Sequence, residues 1–192
     1  MMLIFHRLLG TWNKKVDRYV ALSEFGREKL IASGIRAKKI VVRPNTLFPD
    51  SGAGDGSGGY GLFVGRLSSE KGLETLLSAW ERMSDQCELI IIGDGPMRGL
   101  VNEQAKHQDN IKAVGLQTHE KTLEMIQKAK FLIFPSIWYE GMPRTILEAF
   151  AAGTPVLASD LGAMADMVQH GLNGYLFPIG NSTKLAEFSQ KL

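Results

Sequence analysis

The sequence has a single cysteine, Cys87. No intrachain disulfide can therefore form, and a reducing cytoplasm is the expected compartment. No run approaches the ~20 apolar residues that a membrane span needs. Met1 to Phe5 is apolar, but His6-Arg7 cuts it off, leaving it too short for the core of a signal peptide. Neither sign of charge is in excess: 22 Lys and Arg face 20 Asp and Glu, for a net +2. That balance gives no electrostatic reason to expect a nucleic-acid partner, and the basic clusters Lys14-Lys15 and Arg36 to Lys39 read as solvated surface. His6, His107, His119 and His170 have no metal-ligand spacing, so no metal site is expected. The remainder is ordinary for a globular protein, 44% hydrophobic and 22% charged. At 192 residues the chain can form one large domain, or one domain and part of another.

One boundary stands out. Asp50 to Gly59 holds five glycines in ten residues and no apolar side chain larger than alanine, which reads as a flexible linker over residues 49–59. Before it, Val16 to Leu22 suggests a strand, Glu24 to Ala32 a helix stopped by Gly34, and Ile40 to Val42 a second strand. One such unit in about 48 residues is too small for a core of its own, so residues 1–48 read as the remnant of a larger domain. After the linker, residues 60–192 alternate short apolar strands with helices. The strands are Leu62 to Val64, Leu89 to Ile92, Ile111 to Val114, Phe131 to Phe134, Val156 to Ala158 and Tyr175 to Phe177. The helices are Gly72 to Met83, one running to His107, Lys121 to Ala129, Pro143 to Ala152 and Met164 to Gln169. A last helix, from Ser182, runs to the final residue as though cut short. This rhythm predicts an α/β fold, a doubly wound parallel sheet covered on both faces.

In such a sheet the ligand crevice lies beyond the carboxyl ends of the strands. There the sequence places Gly65-Arg66 and Lys71, Gly93-Asp94-Gly95, Gly115-Leu116-Gln117, Pro135 with the run to Glu140-Gly141, and Ser159-Asp160. Pro143 suits the first turn of a helix and Gly153 its end. The backbone N–H groups of Gly141 to Thr145 (Gly141, Met142, Pro143, Arg144 and Thr145, proline excepted) would then form an anion site at the positive end of the helix dipole. Ile146, Leu147, Phe150 and Ala151 read as the core-facing stripe, with Glu148 off it. Five residues past Pro143 is about 7.5 Å along the axis, from where the Glu148 carboxylate could accept two hydrogen bonds from a ribose diol. Taken one at a time, Arg66, Lys71 and the two glutamates are ordinary surface residues.

Taken together these motifs resemble the C-terminal half of the retaining glycosyltransferases called group one, or family four. Gly65-Arg-Leu-Ser-Ser-Glu-Lys-Gly72 is similar to the family's G-R-L-x-x-E-K-G segment, and Glu140 to Glu148 to its E-x7-E signature, continued by Ala-Phe-Ala-Ala-Gly-Thr-Pro-Val-Leu-Ala-Ser159. Gly93-Asp-Gly-Pro96, Gly171-Leu-Asn-Gly174, Val20 to Phe25 and Lys39 to Asn45 match in order. Met142-Pro143-Arg144 departs from the usual Phe-Gly-Leu, Gly162-Ala163 stands where paired glycines are frequent, and Asp166 replaces the usual glutamate.

The resemblance implies the Rossmann-like C-terminal half of a GT-B fold and a retaining hexosyltransferase using a UDP-, GDP- or ADP-sugar. It implies a glycan, lipid-linked or small-molecule acceptor, and no cofactor beyond the donor. Peripheral membrane contact would fall to the N-terminal domain. By position, Arg66 and Lys71 would neutralise the departing diphosphate, Glu140 would hold sugar hydroxyls and Glu148 the ribose. Gly65 and Gly93 would line the crevice, Gly141 to Thr145 would contact sugar and phosphate, and Leu116 and Gln117 would lie near the base. The absence of a D-x-D triplet agrees with the metal-independent habit of this fold type. The chain alone is expected to bind nucleotide weakly and to transfer little. A non-catalytic nucleotide-sugar module is the alternative. A dinucleotide-dependent oxidoreductase is disfavoured, because its fingerprint needs glycine where Arg98 stands and an acid about 20 residues on.

Overall fold

The computed structural model describes residues 4–6, 9–47, 52–83 and 87–192. The chain divides into two compact units, Met1–Thr46 and Leu47–Leu192.

In the first unit, α1 (Thr11–Lys15) precedes β1 (Tyr19–Ala21), α2 (Glu24–Ala32) and β2 (Ile40–Val42). The two strands pair in parallel, Tyr19 opposite Ile40 and Ala21 opposite Val42. Helix α2 begins where the Ser23 hydroxyl accepts the Gly26 N–H at 3.1 Å and ends before Gly34, whose φ of 97° no branched residue tolerates. The expected strand from Val16 is shortened to Tyr19, because only three residues of β2 are there to pair with it. The buried cluster of this unit comprises Ala21, Ile35 and Ile40.

The second unit contains β3 (Tyr60–Val64), α3 (Leu73–Glu81), β4 (Glu88–Ile92), α4 (Arg98–His107), β5 (Ile111–Gly115), α5 (His119–Lys128), β6 (Phe131–Phe134), α6 (Arg144–Ala151), β7 (Val156–Ser159), α7 (Ala163–Met167), β8 (Gly174–Phe177) and α8 (Ser182–Ser189). Its six strands form one sheet in the order β5-β4-β3-β6-β7-β8, parallel throughout. Alternation along the strands sends successive side chains to opposite faces. Phe63, Ile91, Phe131 and Ile133 meet Leu73, Leu76, Trp80, Val101 and Leu185 on one face. Leu62, Ile90, Leu132 and Phe134 meet Ile126, Ile146, Ala149 and Met164 on the other. Helices α3, α4 and α8 thus cover one face and α5, α6 and α7 the other, which is the doubly wound arrangement expected of the sequence. The last helix stops at Ser189 rather than running to the final residue. Among the described residues no helix is long and apolar enough to cross a membrane.

Residues 48–51 lie outside the described residues, so the start of the expected linker is not placed. Residues 52–59 do not hang free, as their composition suggests. The N–H of Gly54 donates to Ala152 O at 2.8 Å, those of Asp55 and Gly56 to Gln127 O at 3.1 Å, and that of Gly58 to Lys128 O at 2.8 Å. These carbonyls belong to the last turns of α5 and α6, which lack intrahelical donors. A Cβ on Gly54 would fall 2.1 Å from Gln127 O, so the segment needs glycine to reach them. Its order comes from backbone pairing and not from side-chain burial, which is why a hydropathy argument does not see it.

Replacing Gly54 by alanine should detach this segment. Hydrogen exchange at the amides of residues 55, 56 and 58 should speed up by about tenfold or more, with the sheet amides little changed. Unchanged protection would show that the docking does not depend on the missing Cβ.

Candidate functional site

The strand order reverses between β3 and β6. From β3 the chain builds outward through β4 and β5, then returns to β6 and builds the other way. In open α/β sheets ligands bind beyond the carboxyl edge at such a reversal, so the loops that follow these two central strands are where a site is sought. Both loops are tied down. After β3, Leu67 N–H donates to Asp94 O at 2.9 Å and Met97 N–H to Leu67 O at 2.8 Å, while Gly93 N–H reaches Gly115 O at 3.0 Å. Between the two loops, Ile137 N–H donates to Glu70 O at 3.0 Å. Gly72 ends the β3 loop at φ 71°, and a Cβ there would lie 1.9 Å from Pro135 O. The two loops touch backbone to backbone at a position that only glycine can occupy.

That contact brings together residues 69 positions apart. Lys71 Nζ lies 2.6 Å from Glu140 Oε1, with both side chains mostly covered, 25% and 21% exposed. Lys71 Nζ also sits 5.6 Å from the centre of the Phe134 ring, a distance at which ring and cation attract. The buried Ser136 hydroxyl lies 3.0 Å from the same Glu140 oxygen, 3.0 Å from Glu70 O and 3.3 Å from Trp138 O. It has one proton for three acceptors, and the carboxylate is the strongest of them. Ser136 was not among the residues singled out from the sequence, although its place directly after Pro135 at a strand end was a signal for it. Arg66, expected beside Lys71, is exposed and forms no ion pair among the described residues. Glu70 accepts from the Ser68 hydroxyl at 2.6 Å. This bond, followed by the residue's own backbone N–H, holds the Glu70 carboxyl below the usual glutamate range.

Helix α6 starts one residue later than expected. Pro143 is its N-cap, with φ −64° and ψ 121°, and no side chain caps this end. The first N–H groups of α6 have no intrahelical acceptors and stand at the positive end of the dipole. The burial of α6 also differs from the expected stripe. Ile146, Glu148 and Ala149 are buried, whereas Leu147, Phe150 and Ala151 are only partly covered. Glu148 is 7% exposed, not off the covered face. The stripe was read against a single packing surface, but α6 is flanked by α5 as well as by the sheet. A cavity of about 460 Å³ opens between them, lined by Val64, Gln117, His119, Thr122, Arg144, Thr145 and Glu148. Glu148 forms no salt bridge among the described residues. His119, which the sequence suggests only as a surface histidine, and Thr122, which no motif marks, reach the cavity from α5, past the strand-end loop.

The remaining candidates are dispersed. The Gln117 amide donates to Val114 O at 2.8 Å, and the residue lines the cavity. Leu116 is 74% exposed and does not line that cavity. Gly93 lines a separate cavity of about 180 Å³ with Leu67, Arg98 and Asn102. Gly65 is an anchor, its N–H bonded to Ile92 O at 3.0 Å. Gly141 and Met142 bridge Glu140 to the start of α6 without lining the cavity.

Comparison with known proteins identifies the family to which this chain belongs. Residues 59–192 match the family described as Glycosyl transferases group 1. Phosphatidyl-myo-inositol mannosyltransferase of Mycobacterium leprae (strain TN) is 30% identical over 196 residues, covering 96% of this chain and 52% of that protein. Amylovoran biosynthesis glycosyltransferase AmsK of Erwinia amylovora is 28% identical, over 89% of this chain and 46% of its own length. Among solved structures, the lipopolysaccharide outer core galactosyltransferase WaaB in its apo form superposes with a TM-score of 0.74 at 27% identity, covering 91% of this chain and 52% of that one. Anabaena Alr3699/HepE in complex with UDP-glucose superposes at 0.79 with 22% identity, covering 91% and 53%, a likeness of fold. The chain spans about half the length of these relatives.

Two measurements check the geometry without any assay of function. In a double-mutant cycle on unfolding free energy, Lys71→Met and Glu140→Gln should be coupled by about 1–3 kcal/mol, because either change alone strands a largely covered charge; additive effects would deny the pair. A carboxylate NMR titration should find Glu70 below the ordinary glutamate range, moving up in Ser68→Ala. Because its folded-state pKa is the lower one, its contribution to stability is present above the unfolded-state pKa. That contribution is lost as pH falls through the folded value.

Proposed function

We propose a function from the family to which this chain belongs, the Glycosyl transferases group 1: it supplies the donor site of a retaining hexosyltransferase that uses a nucleotide-diphospho-sugar. The observation that carries this reading is the buried carboxylate of Glu148. It lines a cavity of about 460 Å³ that has Gln117 on its wall and the uncapped start of α6, at Arg144 and Thr145, at its edge. A carboxylate on a residue only 7% exposed, with no salt bridge among the described residues, is served by hydrogen-bond donors that reach it through the cavity. A ribose diol supplies two of them, with the base toward Gln117 and the diphosphate toward the N–H groups of Gly141 to Thr145.

The chemistry follows from the Lys71–Glu140 pair at the strand switch. When the bond from the sugar C1 to the phosphate oxygen breaks, negative charge grows on the leaving diphosphate. Cations and dipoles already fixed in place stabilise that charge without reorganising. Lys71 carries three N–H donors; the bond to Glu140 uses one, and two are left for phosphate oxygens. Arg66, exposed at the mouth of the β3 loop, is free to swing toward the same group. Glu140 accepts hydroxyl protons of the transferred sugar through the oxygen not shared with Ser136 and Lys71. No metal ion is part of this account. The acceptor is a hydroxyl on a glycan, a lipid-linked sugar or a small molecule, bound chiefly by the rest of the whole protein, and the enzyme works in the cytoplasm.

In the enzyme that contains this chain, Glu140→Gln and Lys71→Ala should each lower turnover about 100-fold or more. Glu148→Gln should instead weaken donor binding about tenfold, the value of one charge-assisted hydrogen bond, with a smaller effect on kcat. Proton NMR of the first product should show the anomeric configuration of the donor preserved. Wild-type rates in the first two variants would remove their roles, and an inverted product would remove the retaining assignment.

A further inference from the structure

The loop from β6 to α6 shows an unusual side chain to solvent. The chain's other described tryptophan in the second unit, Trp80, is fully buried with its Nε1–H bonded to Cys87 O at 3.0 Å. Trp138 is 67% exposed, between Ile137 at 44% and Tyr139 at 53%. A single exposed apolar residue is unremarkable, but these three adjoin Leu161 and Ile179 around one hollow of about 250 Å³. Trp138 and Ile137 also wall a second hollow of about 480 Å³, closed by Ser69 and Glu70. The segment is not loose. Ile137 N–H is bonded to Glu70 O, and Ser136 Oγ accepts from the Trp138 N–H at 3.4 Å while lying 3.0 Å from Glu140 Oε1. The Trp138 backbone, the Ser136 hydroxyl and the Glu140 carboxylate are therefore held relative to one another, and the exposed indole stands on that held backbone, two residues from Glu140.

The chemistry of that hollow selects a ligand class. A lipid chain has no use for a carboxylate, and a phosphate finds no cation among Ser69, Glu70, Ile137 and Trp138, the residues that line the hollow. A pyranose ring has what both walls need: an apolar C–H face that stacks on an aromatic ring, and hydroxyl groups at its edge that donate to a carboxylate. We propose that Trp138 and Glu70 form a hexopyranose subsite, with the ring stacked on the indole and a hydroxyl bonded to the Glu70 carboxylate. This rests on the glycosyl-transfer reading only for whose ring it is, that of the donor or that of the acceptor.

The test uses the chain in wild-type form and as Trp138→Ala, Trp138→Phe and Glu70→Gln, each checked for folding by circular dichroism. One arm compares by calorimetry a nucleoside diphosphate with its hexose conjugate, taking UDP and UDP-glucose first, then the GDP and ADP pairs. The other follows methyl glucopyranoside, galactopyranoside and mannopyranoside by saturation-transfer NMR with the matching nucleoside diphosphate present. The wild type should show a sugar-dependent signal in one arm. Trp138→Ala and Glu70→Gln should weaken it about tenfold or more, Trp138→Phe should restore part of it, and affinity for the nucleoside diphosphate should stay unchanged. Loss of the extra affinity of the conjugate assigns the transferred ring, and loss of the methyl glycoside signal assigns the acceptor ring. A sugar signal equal in wild type and variants, or none in either arm, overturns the subsite. Nucleoside diphosphate binding that persists in those cases leaves the donor reading intact. Its absence in the wild type would count against the donor reading alone.

Discussion

The approach of Gly72 to the carbonyl of Pro135 governs the rest of the site. It lies where the strand order reverses, between loops that leave β3 and β6, and it leaves no room for a side chain. With the backbones in contact, Lys71 and Glu140 reach one another at 2.6 Å, and Ser136 can bond to the same carboxylate. Spread the loops by one methyl group and the cation, the acid and the hydroxyl no longer converge. The hydrogen bond from Ile137 to Glu70 O and the ladder linking residues 65, 67, 93, 97 and 115 hold the same geometry from its two sides.

Much of this could be read in the sequence, and what could not has physical reasons. Short apolar runs between amphipathic helices specify a parallel sheet covered on both faces, and the observed strands fall on those runs within a residue or two. The strand-end rule located the loops that carry Lys71, Gln117 and Glu140. It could not say that Arg66 is exposed and outside the Lys71–Glu140 ion pair, or that Gly93 faces a different cavity, since both depend on how far each loop leans. Glu148 shows the limit of a one-surface stripe: a helix packed against both a sheet and a neighbouring helix buries a wider arc, and a carboxylate can lie inside it. Composition misjudged residues 52–59 because glycine-rich chain can gain order by capping helix ends, a contribution that hydropathy does not count.

The arrangement divides labour between two neighbouring places. In the proposed reading the cavity beside α6, with Glu148 and Gln117 on its wall, takes the nucleoside, and Lys71 and Glu140 at the strand switch take the leaving diphosphate and the sugar. The start of α6 lies between them, and Pro143 leaves its N–H groups uncapped. The chain belongs to the Glycosyl transferases group 1 family and spans about half the length of its mannosyltransferase relative.

The account stands most directly on where a nucleoside diphosphate lies. A diffraction structure of the chain with UDP, GDP or ADP bound should place both ribose hydroxyls within hydrogen-bond distance of the Glu148 carboxylate. The base should lie beside Gln117, and the phosphates against the N–H groups that open α6. A nucleotide seated elsewhere on the sheet edge, with Glu148 still bare, would contradict it.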